Sequence, residues 1–244
     1  MRIISTLSFT LLLLIQSCAL FNEDTGIAET YVFDSQALGR LKSVIVYYPE
    51  DHQATIPVIY LFNGWGVDET AWGSGIDLAK EAHDRDVMFV SLSAGSNTYT
   101  NSSGAGNHNY EDYVLEVIET VETEYALEIG AEQRALCGIS NGGGGVLYIL
   151  SEHPELFVAA GSLSGTRYTS MYRYNNLKQK GIRIDVGTED NVVIHELRWL
   201  HDKLETEGVS HVYNEWSGGH NWDFWAKYAP KQFDFLEDQI TRVE

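Results

Sequence analysis

The sequence predicts an α/β fold in which helices flank a mostly parallel central sheet. Short, nearly continuous apolar runs alternate along the chain with segments whose apolar residues recur every three or four positions. The runs are typical of strands that are buried on both faces of a parallel sheet, and the spaced segments are typical of amphipathic helices. Because such alternation implies crossover connections, a single layered domain is expected.

Seven segments predict strands. The first, residues 41–49, alternates between apolar and polar side chains, which indicates a strand with one face buried. The others are short and mainly apolar, and they lie at residues 56–63, 86–93, 133–139, 156–164, 182–187 and 211–216.

Five segments between these strands predict helices, at residues 75–85, 110–125, 143–152, 192–207 and 223–237. Ligands of an α/β sheet bind at the carboxyl ends of its strands. The residues that directly follow each strand are therefore the candidates for a functional site. The connecting loops are too short to form a large lid, so an open site is expected.

Composition and charge exclude several classes of function. The chain has 244 residues, of which 44% are hydrophobic, and it carries 35 Asp and Glu against 16 Lys and Arg, a net charge of −19. A field of this sign repels phosphate backbones and anionic membranes, so no nucleic-acid partner is expected. His195 and His201 are six residues apart, which does not match the zinc-binding H-E-x-x-H pattern. No metal or other cofactor is expected.

The first seventeen residues predict an export signal. Arg2 precedes an apolar stretch, residues 7–15, that is too short to span a membrane. The letters "IQSC" then resemble a bacterial lipobox, in which Cys18 is lipidated. On this interpretation residues 18–30 are the lipidated cysteine and a tether, residues 31–244 are the catalytic domain, and the protein is a membrane-anchored lipoprotein of the periplasm or cell surface. Ordinary signal cleavage near Ala19 is the alternative, and it also predicts export.

A G-x-S-x-G motif occupies residues 138–142, between a predicted strand and a predicted helix. In that context the motif is typical of a sharp turn that exposes the serine hydroxyl above the sheet. Gly138 and Gly142 fit positions where a Cβ would obstruct the turn, and the next three glycines let the helix pack close to the strands. Ser140 is therefore a candidate nucleophile.

A serine nucleophile needs a base and an acid that orients the base. His220 follows the last predicted strand and opens the last predicted helix. Asp190 lies in the loop after a strand, with Glu189 and Asp185 as alternatives. The order Ser, Asp, His along the chain is the order found in α/β-hydrolases. An oxyanion would need backbone donors, which we expect from Asn141 and from the loop that reads "NGWG" at residues 63–66.

The segments "LFNGWGVDETAW", "GAGNHNYEDYVLEVIETVE", "RALCGISNGGGGVLYILSEHPELFVAAGSLSG", "GTED" and "SGGHNWDFW" together resemble the esterase D-like branch of the α/β-hydrolases. That branch includes S-formylglutathione hydrolases, mycolyltransferases of the antigen 85 type, and acetyl xylan and feruloyl esterases. The resemblance extends from about residue 31 to the C-terminus. It implies an α/β-hydrolase fold, a triad of Ser140, Asp190 and His220, and an oxyanion hole formed by the amides of Trp65 and Asn141.

The resemblance also implies a serine esterase that works through an acyl-enzyme. An exported protein of this kind fits acyl esters on carbohydrate, including polysaccharide, better than glutathione thioesters, which are cytoplasmic. An acyltransferase to a sugar hydroxyl and a non-catalytic carbohydrate-binding relative remain the alternatives. We expect Asn63, Tyr110 and Trp222 to contact the substrate.

Overall fold

The computed structural model describes residues 26–102, 108–166, 168 and 170–241. Eight strands lie within this part of the chain: β1 (Ile27–Ser35), β2 (Arg40–Tyr48), β3 (Val58–Phe62), β4 (Met88–Leu92), β5 (Arg134–Ile139), β6 (Ala159–Leu163), β7 (Gly181–Gly187) and β8 (Val212–Trp216). They form one sheet in the order β1-β2-β4-β3-β5-β6-β7-β8. The pairs β1–β2 and β2–β4 are antiparallel, and the rest are parallel.

The helices are α1 (Ala71–Gly75), α2 (Leu78–Arg85), α3 (Tyr110–Glu124), α4 (Asn141–Glu152), α5 (Tyr174–Leu177), α6 (Ile194–Glu207) and α7 (Trp222–Gln239), with a 3₁₀ turn at Ala131–Gln133. Each of the five predicted helices is present within three residues of its predicted start. The sequence did not indicate α1 or α5, because helices of five and four residues are too short to show a repeating apolar face.

The sequence also did not indicate β1, and the predicted start of the domain at residue 31 is wrong. Residues 27–30, which the sequence pattern assigned to the tether, form the first part of β1 and pair with the end of β2. This edge strand alternates between exposed and half-buried side chains, so it lacks the apolar run that marks the inner strands. Residues 1–25, including Cys18, lie outside the described residues.

Two hydrophobic cores lie on opposite faces of the sheet. One contains apolar side chains of α3, α4 and α6, and the other contains those of α1, α2 and α7. Val58, Tyr60 and Phe62 of β3 enter the first core, whereas Ile59 and Leu61 enter the second. The inner strands are continuously apolar because both of their faces are covered. No helix of the described residues is long and apolar enough to cross a bilayer.

Candidate active site

Ser140 occupies a strained turn between β5 and α4. Its backbone has φ +52° and ψ −120°, a region that residues with a Cβ rarely adopt. The Ser140 amide donates to the Leu163 carbonyl at 2.9 Å, and the Ser140 carbonyl accepts from the Thr166 amide at 3.0 Å. The last residue of β6 and the chain after it therefore hold the turn through the amide and the carbonyl of the serine.

The two glycines of the motif are required by close backbone contacts. A Cβ on Gly138 would lie 2.3 Å from the Gly142 carbonyl oxygen. A Cβ on Gly142 would lie 2.2 Å from the Phe62 carbonyl oxygen, at the end of β3. A Cβ on Gly145 would lie 2.6 Å from the Tyr99 ring, so this part of α4 also packs closely against its neighbours, as the run of glycines predicted.

His220 connects Ser140 to Asp190. The Nε2 atom of His220 lies 2.9 Å from Ser140 Oγ, and its Nδ1 atom lies 2.8 Å from Asp190 Oδ2. Because an ionised carboxylate only accepts hydrogen bonds, Nδ1 donates to Asp190 and the Nε2 of the neutral imidazole is left to accept from the serine hydroxyl. The three side chains thus form one hydrogen-bonded chain that can move a proton from the serine to the imidazole.

Asp190 is fully buried at the start of the loop after β7. Its Oδ1 atom accepts from the amides of Val192 and Val193 at 3.2 and 3.3 Å. Burial raises the pKa of this carboxyl, but the hydrogen bond from His220 opposes the effect, and the pKa lies below its ordinary value. Asp190 is therefore ionised at neutral pH. The His220 ring in turn packs edge-on against Trp225, at 5.1 Å between ring centres.

The other two candidate carboxylates have different partners. Glu189 accepts from the Thr188 hydroxyl at 2.7 Å and from the Gly218 amide. Asp185 is buried within the sheet and accepts hydrogen bonds from four side chains, those of Arg183, Asn214, Trp216 and Gln232. Such a set of donors satisfies a buried carboxylate and gives Asp185 a structural role.

The loop after β3 lies beside the serine. A Cβ on Gly64 would be 3.5 Å from the Ser140 Cβ, an ordinary contact distance. Neither the Trp65 amide nor the Asn141 amide donates a hydrogen bond to the described residues. Two backbone donors are thus left available near the hydroxyl, which is the arrangement that an oxyanion requires.

Two buried tyrosines, which sequence reasoning missed, brace these donors. The Asn141 side chain accepts from the Tyr168 hydroxyl at 2.9 Å and donates to the Asn97 carbonyl at 3.0 Å. The Tyr99 hydroxyl donates to the Asn63 carbonyl at 3.0 Å, and the Tyr99 amide donates to the Tyr168 hydroxyl. Nothing in the sequence distinguishes these tyrosines from others that only fill the core.

The prediction that the Asn63 side chain contacts substrate is wrong. Asn63 is fully buried, and its side-chain amide donates to the Ser91 hydroxyl at 3.0 Å and to the Leu92 carbonyl at 2.9 Å. Because the neighbouring strand β4 ends at this level, Asn63 turns toward it rather than toward solvent. Its side chain ties the loop after β3 to the end of β4.

Tyr110 and Trp222 have different surroundings. Tyr110 lines a cavity of about 350 Å³ beside the loop after β3. Trp222 begins α7 and packs edge-on against Trp72 and Trp225, at 5.9 and 5.5 Å between ring centres. Trp65, by contrast, is 57% exposed. Substrate contact by Tyr110 and Trp222 stays a prediction.

A family model described as "Putative esterase" matches residues 35–234 of the chain. The chain belongs to this esterase family. The match confirms the predicted resemblance, and the matched range contains Ser140, Asp190 and His220.

Among curated proteins, this esterase is 24% identical, over 78% of its own length, to an endo-1,4-beta-xylanase/feruloyl esterase of Xylanibacter ruminicola, and it spans 30% of that protein. It is also 24% identical, over 74% of its length, to an acetyl esterase of Caldicellulosiruptor saccharolyticus, of which it spans 83%.

Solved structures confirm the predicted α/β-hydrolase fold. A fluorophosphonate-binding serine hydrolase of Staphylococcus aureus aligns with a TM-score of 0.78, at 18% identity, over 87% of this chain and 99% of that one. A ferulic acid esterase of Anaeromyces mucronatus aligns with a TM-score of 0.70, at 20% identity, over 90% of this chain and 93% of that one.

Proposed function

We propose that this esterase hydrolyses carboxylic esters through an acyl-enzyme formed on Ser140. The observation that carries the proposal is the continuous hydrogen-bonded chain from Ser140 through His220 to the buried Asp190. The available amides of Trp65 and Asn141 beside it add the second requirement of acyl transfer, a place for negative charge on the carbonyl oxygen.

The first half of the reaction follows from this geometry. His220 Nε2 takes the Ser140 proton while Oγ attacks the ester carbonyl carbon, and the two amides stabilise the resulting oxyanion. His220 then gives that proton to the alcohol oxygen as the ester C–O bond breaks. Asp190 stays ionised and stabilises the imidazolium that forms in between. Each oxyanion donor is worth about 3–4 kcal/mol in the transition state.

The second half repeats these steps with water in place of the serine hydroxyl. His220 removes a proton from the water, which attacks the acyl carbon, and Ser140 leaves after it recovers the proton from His220. A sugar hydroxyl in place of this water would make the protein an acyltransferase. The same side chains serve both reactions, so the distinction is left to product analysis.

We propose acyl groups on carbohydrate as the substrate class. Two curated relatives are named as feruloyl and acetyl esterases, and the predicted export places the protein where polysaccharides occur. We also propose anchoring through a lipid on Cys18. This part rests on the sequence of the first eighteen residues, and it predicts that Cys18→Ala releases the protein from the membrane fraction.

The first test is hydrolysis of p-nitrophenyl acetate by the chain that starts at residue 19. We expect turnover in the native sequence, a loss of about 10⁴-fold or more in Ser140→Ala, and little change in the control Ser162→Ala, a buried serine of β6. Acetylated and feruloylated xylo-oligosaccharides, with and without an acceptor sugar, then separate hydrolysis from transfer. A folded protein without turnover on any of these esters would contradict the proposal and favour a binding role.

A further inference from the structure

The cavity of about 350 Å³ beside the loop after β3 is not used by the hydrogen-bonded chain of the active site. Its walls come from β2, from the loops that follow β3 and β4, and from the start of α3. One wall begins at Gly66, which follows Trp65 and lies two residues along the loop from Gly64, the residue beside Ser140. The loop after β3 therefore connects the cavity to the serine, and the cavity's volume is within the range of ligand-binding pockets.

This wall contains a buried hydroxyl whose proton has no acceptor. Tyr110 is only 1% exposed, and its hydroxyl oxygen accepts from the Arg40 guanidinium and from the Asn97 side-chain amide. These two bonds occupy both lone pairs of the oxygen. The hydroxyl proton has no acceptor among the described residues. Because a buried donor is costly to leave unpaired, a ligand oxygen in the cavity would relieve this cost.

Two cations of the same wall are also incompletely paired. Neither Arg40 nor Lys42 has a carboxylate oxygen within 4.0 Å among the described residues, although the chain is strongly acidic. Lys42 donates to the Ser93 carbonyl at 3.1 Å, and its ammonium lies 5.1 Å from the centre of the Tyr113 ring. Burial lowers the pKa of Lys42, and the nearby carboxylates of Glu69 and Asp68 oppose this effect without forming a close ion pair. Both cations retain N–H donors that no described residue takes up.

Two carboxylates complete the wall and supply acceptors. One oxygen of Asp68 accepts from the Thr70 amide and hydroxyl, and one oxygen of Glu69 accepts from the Ser43 hydroxyl. The second oxygen of Glu69 has no donor among the described residues, whereas the Asp68 carboxylate also accepts from its own amide. The wall thus combines two cations with two anions, and it offers donors and acceptors together.

This mixture distinguishes between classes of ligand. An anionic group would meet the cations but would be repelled by the carboxylates. An aromatic acyl group would desolvate all four charges without replacing their hydrogen bonds. A sugar hydroxyl both donates and accepts, so a polyhydroxylated ring can pair with both kinds of group.

We propose that this cavity binds a neutral sugar ring in the alcohol part of the substrate. The inference rests on the proposed function in that the ring belongs to an acylated carbohydrate whose ester lies at Ser140. Arg40, Lys42 and the Tyr110 hydroxyl proton bind the oxygens of the ring, and the carboxylates of Asp68 and Glu69 accept from its hydroxyls.

Binding without catalysis gives the first test. In a Ser140→Ala background, unesterified xylotetraose is titrated calorimetrically against the protein. Arg40→Gln and Tyr110→Phe are each expected to weaken Kd about tenfold, whereas Arg198→Gln, a matched change at a surface arginine paired with Glu215, leaves it unchanged. If Tyr110→Phe does not fold, the titration of Arg40→Gln, a change at an exposed residue, still tests the proposal.

The second test uses the native serine. The ratio of kcat/KM on acetylated xylo-oligosaccharide to kcat/KM on p-nitrophenyl acetate is expected to fall about tenfold in Arg40→Gln and to stay constant in Arg198→Gln. A constant ratio together with an unchanged Kd would overturn the inference. Tighter binding of a glucuronate-bearing oligosaccharide than of the neutral one would overturn it as well. Absence of hydrolysis of both esters would instead refute the proposed function, because the binding titration does not depend on turnover.

Discussion

Glycine in place of Ser140 is expected to give a more stable protein than alanine in the same position, although both variants lose the Ser140 hydroxyl. Ser140 has φ +52° and ψ −120°, and both alanine and serine carry a Cβ that makes this conformation costly. Glycine has no Cβ and enters the region freely. The comparison of the two variants therefore isolates the backbone strain of the turn from the loss of the hydroxyl.

The size of the effect follows from two opposing contributions. A residue with a Cβ in a sparsely populated region costs about 1–3 kcal/mol. Glycine avoids this cost, but it lowers the free energy of unfolding by about 0.5–1 kcal/mol because the unfolded chain becomes more flexible. From the middle of these two ranges, the free energy of unfolding of Ser140→Gly is expected to exceed that of Ser140→Ala by about 1 kcal/mol. For a domain of this size, the difference corresponds to roughly 2–4 °C in Tm.

Urea denaturation of both variants measures this difference directly. The matched control is Ser151, which lies inside α4 with helical backbone geometry. There the order reverses, and Ser151→Gly is expected to be about 1 kcal/mol less stable than Ser151→Ala. If the control behaves as expected but Ser140→Gly is no more stable than Ser140→Ala, the turn at Ser140 is not strained and the reasoning fails.

Three further variants test the carboxylates and the glycine turn. Asp190→Asn should lower kcat on p-nitrophenyl acetate about 10⁴-fold, since an amide does not hold the imidazole in the required tautomer. The pKa of Asp190 is lower in the folded state than its ordinary value of 3.8. Its charge therefore stabilises the folded protein at pH values above 3.8, and this stabilisation is lost as the pH falls through the pKa of the folded state. The difference in free energy of unfolding between the native protein and Asp190→Asn, measured by urea denaturation, should therefore be constant near neutral pH and decrease only below about pH 4. A decrease near pH 6 would contradict this prediction. Asp185→Asn should lower the free energy of unfolding by about 3 kcal/mol and leave kcat unchanged. A large loss of kcat in folded protein would contradict the structural role of Asp185. Gly142→Ala should lower the free energy of unfolding by about 3 kcal/mol, because its Cβ would meet the Phe62 carbonyl. The control Gly208→Ala should lower it by about 1 kcal/mol, because Gly208 has a positive φ but open space around it. Equal losses in the two variants would contradict the close contact at Gly142.

The fold class and the positions of Ser140, Asp190 and His220 could be predicted because the relevant signals are local. Buried parallel strands are marked by their own apolar runs, and the residues that follow such strands meet at one edge of the sheet. The edge strand β1 has no comparable signal. Its formation depends on pairing with β2 along its whole length, which is a tertiary interaction.

The surroundings of the site could not be predicted because they depend on the direction in which each side chain points. Asn63 follows a strand at the correct edge, yet it turns into the protein toward Ser91 and Leu92. Tyr99 and Tyr168 are distant from the motifs in sequence, and only the folded chain brings their hydroxyls to the loops that they support. Position at a strand end therefore predicts closeness to the site but not contact with a ligand.

These buried contacts join two units of the site, the turn that carries Ser140 and the loop after β3. The end of β6 and the chain after it hold the strained serine through the amide and carbonyl of Ser140, whereas Asn63 ties the loop after β3 to the end of β4. The two units touch where Gly142 packs against the Phe62 carbonyl. Ser140 and the Trp65 amide therefore belong to different units, and their separation is set by this backbone contact together with the side-chain hydrogen bonds of Asn141, Tyr168 and Tyr99. A Cβ at Gly142 would move one unit relative to the other, so such a change should impair catalysis even in molecules that remain folded.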